Sequence, residues 1–169
     1  MIRTIRNEIV KGLYGFTGCQ VVATDNPNRK PDYPFISYKI TTLNQDTRDN
    51  GAFSSYFVVS DDPNFRYDLQ EDVEIQPYMV FSFNVYSDDL LEAQELAMEC
   101  WEWFKLNGRQ ALKNVNCVPV DIGSVQDRTV HLVDFYEYKQ GFDVSLRYLH
   151  KFDRKIENIE SYKIEGGIE

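Results

Sequence analysis

Val73-Glu74-Ile75-Gln76-Pro77-Tyr78-Met79-Val80-Phe81-Ser82-Phe83-Asn84-Val85-Tyr86 is the stretch that decides the fold class. Within it Met79, Phe81, Phe83 and Val85 alternate with Tyr78, Val80, Ser82, Asn84 and Tyr86. Successive side chains of a strand project to opposite faces, so one face here is wholly apolar and the other is mixed. That asymmetry suits an antiparallel sheet covered on one side. The pattern predicts one strand over residues 73–86.

What covers the apolar face is written on both sides of this strand. Downstream, Ser87 is placed to cap a helix, with Asp88 and Asp89 near its positive end. Leu90, Ala93, Ala97, Trp101 and Phe104 then form an apolar stripe at helical spacing, widened by Leu91, Met98 and Trp103. The expected helix spans residues 88–106, is the longest in the chain, and stops at Asn107-Gly108. At the N-terminus, Ile2, Ile5, Ile9 and Leu13 predict an amphipathic helix over residues 2–14, ended by Gly12, Gly15 and Gly18. The fold class is therefore α+β: a mostly antiparallel sheet with the long helix and the N-terminal helix packed on one face. The expectation is a single domain over 1–169, with 151–169 a charged C-terminal extension.

Further strands are expected at 19–23, 35–41, 53–59, 116–125, 129–138 and 142–148, where β-branched and aromatic residues concentrate. Strands 35–41 and 53–59 are spaced to pair as a hairpin. Pro119 puts the 116–125 strand at an edge or bulge. Lys139-Gln140-Gly141 reads as a break between the last two, and residues 156–164 as a final strand. Residues 61–74 hold six acidic residues and one basic one, and are expected to be an excursion without sheet or helix signals.

Composition narrows the function. The chain has 169 residues, and 43% hydrophobic residues with 14% aromatics are enough for a real core. The net charge of −9 argues against gripping nucleic acid or an anionic membrane, which needs clustered Lys and Arg. No apolar run approaches the roughly 20 residues of a membrane span. The first residues lack a continuous apolar segment, so no signal peptide is expected.

Chemistry-bearing motifs are scarce. The cysteines, Cys19, Cys100 and Cys117, are far apart and read as buried reduced thiols, not metal ligands. Gly12, Gly15 and Gly18 follow a helix, whereas a phosphate cradle precedes one. Asp61-Asp62, Glu71-Asp72 and Asp88-Asp89 lie in polar stretches and read as a solvated face. Ser124, Asp127 and His131 share one short segment with no oxyanion-hole signature, which is a poor basis for a triad. No catalytic, cofactor or metal site is expected.

Two stretches exceed what a plain core needs: Pro31-Asp32-Tyr33-Pro34-Phe35-Ile36-Ser37-Tyr38-Lys39-Ile40, and Asp127-Arg128-Thr129 followed by Tyr136-Glu137-Tyr138-Lys139-Gln140-Gly141-Phe142-Asp143-Val144. Taken with the Tyr86-Ser87-Asp88-Asp89 helix start and the aromatic helix between them, the chain resembles tailed-phage neck or tail terminator proteins over residues 2–150. The resemblance implies a virion structural protein that forms a ring, usually a hexamer, at the head–tail junction. It implies that the ring caps the tail tube and joins it to the head connector, with DNA passing nearby unbound. Expected partners are other copies of itself, the tail-tube protein and the head-completion or connector protein. The expected location is the virion neck, after assembly in the host cytoplasm. Alternatives are a head-completion or tail-tube protein, or a small cytosolic enzyme or ligand-binding domain. The interface is expected to use Phe53, Tyr56 and Phe57 with the acidic residues Asp61, Asp62, Asp68, Glu71 and Asp72, where aromatics meet dense charge.

Overall fold

A computed structural model of the chain describes residues 1–25, 30–45, 47, 50–131 and 136–157. Two compact units are distinguished: Met1–Thr47 with Gln76–Leu149, and Arg48–Ile75 with His150–Glu169.

The first unit begins with α1, Ile2–Thr17, which buries Ile5, Ile9 and Leu13. It runs past Gly12 and Gly15 and ends only at Gly18, which is left-handed at φ 74° and donates its N–H to the Tyr14 carbonyl. Gly12 is no terminator: a Cβ there would lie 2.2 Å from the Trp103 ring. The expected helix end was thus misplaced, because a glycine selected for close packing carries the same letter as one selected for a cap.

The sheet of this unit has the order β1-β2-β5-β9-β6, from Gln20–Ala23, Phe35–Gln45, Tyr78–Ser87, Tyr136–Tyr148 and Cys117–Ile122. To keep chain order, Ala52–Val59 is β3, Tyr67–Ile75 is β4, Gln126–Asp127 is β7 and Val130–His131 is β8, the last two pairing with β9. Among the described residues only β1–β2 is parallel. As predicted, Met79, Phe81, Phe83 and Val85 are fully buried, and Phe142, Val144 and Leu146 of β9 join them. Helix α2, Leu90–Glu102, packs on β5 and β9, and α1 packs on α2 and β1. The α+β architecture with both helices on the apolar face is the one observed.

Several boundaries differ from expectation. The strand expected over 73–86 is two strands, β4 and β5, separated by Gln76 and Pro77; proline has no N–H to give a ladder. Asp89, not Ser87, caps α2: its carboxylate accepts the Glu92 N–H at 2.9 Å. Ser87 is fully buried, accepts the Asp89 N–H at 3.0 Å and donates to the Glu92 carboxylate. The buried stripe of α2 is Ala93, Leu96, Ala97 and Cys100, while Leu90, Leu91 and Met98 are exposed. Helix α2 has 13 residues and is shorter than the 16 of α1. It continues through a π-helical segment, Trp103–Asn107, into α3, Arg109–Asn114. Gly108 therefore joins helices and does not end one.

Strand β9 runs unbroken through Lys139-Gln140-Gly141. Gly141 sits there because a Cβ would meet Asn84 Oδ1 at 2.4 Å and the Phe83 carbonyl at 2.7 Å, a close approach and not a turn. Strand β6 is an edge strand with a register shift between Pro119 and Asp121, as the proline implied. Cys100 and Cys117 are buried and free, and burial pushes the Cys117 thiol up to about 12; Cys19 is half-buried.

The second unit is a three-stranded antiparallel sheet of order β10-β4-β3, with β10 spanning His150–Glu157. Strands β2 and β3 are not a hairpin: β2 lies between β1 and β5, and β3 pairs with β4. The acidic stretch is also not structureless, since β4 forms the centre of this sheet. The last strand among the described residues is β10, and the expected strand over 156–164 falls mostly outside them.

Candidate assembly surface

The register of the second unit sorts its side chains into two faces. Directly opposite residues of antiparallel strands share a face. Phe53 lies opposite Val73, which lies opposite Phe152; Phe57 lies opposite Leu69, which lies opposite Ile156. Between these two apolar rows lies one of Ser55, Glu71 and Arg154, in which Arg154 donates to the Glu71 carboxylate at 2.5 Å. This face is open: Phe53 is 69% exposed, Phe57 62% and Phe152 48%.

The other face is polar. Tyr56 donates its hydroxyl to Asp72 at 2.9 Å, and the Gln70 amide donates to Asp72 at 3.0 Å and to Asp153 at 2.9 Å. Lys151 pairs with Glu74, and Lys155 pairs with Asp61 at 2.7 Å. The Asp72 hydrogen bond raises the Tyr56 hydroxyl, since ionising it would place two anions together. The Lys155 ammonium holds the Asp61 carboxyl below its ordinary value.

The expected interface residues thus separate. Phe53 and Phe57 lie on the apolar face of β3, and Tyr56 lies on the polar one. Asp61 and Asp62 sit in the β3–β4 connection, where Asp62 accepts from the Asn64 backbone N–H at 2.8 Å and shapes the turn. Asp68 is buried on β4, and its Oδ1 has no hydrogen-bond partner among the described residues. Glu71 joins the apolar face through its pair with Arg154, and Asp72 belongs to the polar network. Sequence reasoning missed Phe152, Arg154 and Ile156. Their period-two spacing in a charged segment was the available signal.

In the first unit the Asp127-Arg128-Thr129 segment is a structural clasp. Arg128 crosses Gly141 and donates to Ser82 Oγ at 2.9 Å, Asn84 Oδ1 at 3.1 Å and Asp143 at 3.2 Å. Asp127 accepts the Thr129 N–H at 2.8 Å, and its carboxyl is held below its ordinary value by hydrogen bonding to the Thr129 side chain and then to this N–H. The Asp127 carboxylate is thus engaged in a turn. Tyr33 donates to Glu137 at 2.6 Å, Lys30 pairs with the same carboxylate, and Phe35 stacks on Tyr86 at 4.7 Å. Burial opposes ionisation of Glu137, yet Lys30 and Tyr33 hold its carboxyl below the ordinary value.

Among the described residues no cluster of His, Cys, Asp or Glu is arranged to hold a metal ion, and no helix is long and apolar enough to cross a membrane. No curated protein matches the chain. A family model described as phage neck terminator protein matches residues 7–169, nearly the full length, and the chain belongs to that family of virion neck proteins.

Proposed function

We propose that the chain forms a ring, a hexamer, at the head–tail junction, where it caps the tail tube and presents a surface to the head connector. It works by association and not by catalysis. The observation that supports this reading is the open apolar face of the three-stranded sheet, where two phenylalanines of one strand stand more than 60% exposed. Monomeric proteins rarely leave such a patch uncovered, and aromatic residues are enriched where partners dock.

Charge fits the same role. Six copies at −9 each carry −54, which repels DNA from the wall of a bore and opposes premature closure of the ring. Closure then needs a template, such as the end of a tail tube, or high protein concentration.

The test is a phage carrying Phe53→Ser with Phe57→Ser. Both side chains are exposed, so the variant chain keeps its circular dichroism spectrum. Its expected phenotype is tails of uncontrolled length, or tails that do not join heads. Infectious virions in normal yield would overturn the assignment of this face.

A further inference from the structure

We propose that the outer edge of β3 in one copy takes the β10 strand of a second copy, so that the three-stranded sheets continue from subunit to subunit. This rests on the ring reading above and names its joint.

An edge strand displays unpaired N–H and C=O groups, and proteins ordinarily guard such edges with Lys, Pro or a bulge. Strand β3 has none of these. Its sequence, Ala52-Phe53-Ser54-Ser55-Tyr56-Phe57-Val58-Val59, carries no charge and no proline. It pairs with β4 in unbroken register over all eight residues. No strand among the described residues occupies its other side. Phe53, Tyr56, Phe57 and Val59 are exposed on both faces. The opposite edge, β10, differs: Lys151, Arg154 and Lys155 punctuate it.

Three observations select β10 of another copy as the occupant. The strands have equal length, eight residues each. Their open faces carry the same pattern, Phe53, Ser55 and Phe57 against Phe152, Arg154 and Ile156, so an added β10 extends both apolar rows. Charge is the third. Strand β4 holds Asp68, Glu71, Asp72 and Glu74 with no basic residue, and its cations come from the β10 side, where Lys151 meets Glu74 and Arg154 meets Glu71. On the β3 side, the residues opposite Glu74, Asp72 and Glu71 are Ala52, Ser54 and Ser55. These small side chains leave a path over β3. A strand added there lies about 9–10 Å from β4, two strand spacings. An extended Lys or Arg and a carboxylate side chain cover that gap between them. Asp72, bonded to Tyr56 and Gln70, has no cation partner among the described residues.

The polarity is also consistent with a ring. Strands β3 and β10 both run antiparallel to β4 and so share one direction. Where these strands run near the ring axis, rotation about it leaves the next β10 parallel to β3, a head-to-tail contact that closes when the angle allows.

The test places cysteines on the polar face: Ser54→Cys combined in turn with Lys151→Cys, Asp153→Cys and Lys155→Cys, each in a Cys19→Ser background. Within one copy β4 separates these positions by at least about 9–10 Å, beyond the ~7 Å reach of a disulfide between Cα atoms. Any bond therefore joins two copies. The full-length chain is oxidised with copper phenanthroline at graded concentrations, alone and with tail-tube protein, and read by non-reducing gel and native mass spectrometry. The expected result is a ladder of covalent multimers for one pairing, at least tenfold above Ser54→Cys alone, and lost when Phe57→Lys is added. Rings by mass spectrometry with no ladder in any pairing would overturn this joint and leave the ring reading standing. Dimers from Ser54→Cys alone, as abundant as from the pairs, would instead show β3 meeting β3. Monomers under every condition would overturn both readings.

Discussion

Gly12 and Gly15 lie three residues apart in α1, and the same substitution should move stability in opposite directions at the two. At Gly15 an added Cβ meets nothing within 4 Å and the residue is exposed. Gly15→Ala should therefore gain about 0.5–1 kcal/mol from helix propensity and the stiffer unfolded chain. Gly12→Ala has the same propensity gain of up to about 1 kcal/mol. Against it, the new Cβ would lie 2.2 Å from Trp103 Cζ2 and 2.8 Å from Cε2, far inside van der Waals contact. The indole has little room to retreat. Trp103 is 4% exposed, a Cβ on Gly108 would also meet its ring at 2.5 Å, and the ring stands edge-on to Phe104 at 4.8 Å. Overpacking of this kind costs about 1–3 kcal/mol, and with a rigid ring the upper part of that range applies. Gly12→Ala should thus be destabilising by about 1–2 kcal/mol net, leaving the two variants about 1.5–3 kcal/mol apart. Urea unfolding with an unchanged m-value is the assay. Trp103→Phe shortens the ring and should partly rescue Gly12→Ala, with a coupling of about 1 kcal/mol in the double-mutant cycle. Equal stabilisation at both glycines, or no coupling, would refute the packing of α1 on Trp103.

Phe81→Ala, at a fully buried site between Phe83 and Tyr38, should cost about 3–5 kcal/mol by cavity formation; a loss below about 1 kcal/mol in urea unfolding would mean that this face of β5 is not the core. The Lys30–Tyr33–Glu137 cluster predicts a pH dependence with a definite sign. Glu137 is held below 4.5 in the folded chain, so its contribution is present above that value and fades as pH falls through the lowered one. Lys30 is held above 10.5, so its contribution is present below that value and fades as pH rises past it. Glu137→Gln should flatten the acid limb of stability against pH, and an unchanged limb would show that the pair carries no net stabilisation.

The main sheet was legible because β5 alternates without interruption, and no charged residue falls on its buried face. The helices were legible in kind but not in outline. In α2 the spacing made Leu90, Leu91 and Met98 look interior, yet the helix turns Leu96 and Cys100 inward and leaves those three exposed. Of the two tryptophans, Trp103 is buried, while Trp101 is half-buried with its indole N–H donated to the Gly123 carbonyl at 3.2 Å. Glycines misled most. Gly12, Gly108 and Gly141 each read as a stop, and each instead lets a neighbour approach within a distance that a Cβ would block. Such contacts lie far apart in sequence, so no local pattern announces them.

The acidic stretch hid its strand for a related reason. In β4, Tyr67, Leu69, Val73 and Ile75 alternate, but Glu71 breaks the apolar row and Asp68, Asp72 and Glu74 dominate the composition. Those acids are tolerable in a central strand because β10 supplies Lys151 and Arg154 from 77 or more residues further along the chain. A strand whose charge is compensated by a distant strand looks like a solvated loop when read locally. The same compensation explains how an aromatic edge and a net charge of −9 can coexist. Repulsion between whole chains acts over the Debye length, ~8 Å at physiological salt, and keeps dilute copies apart. In the proposed contact the uncharged edge of β3 presents no local repulsion, so backbone pairing and the two apolar rows would decide it. Long-range charge then governs when the proposed ring forms, and the short-range pattern on β3 and β10 governs what it joins.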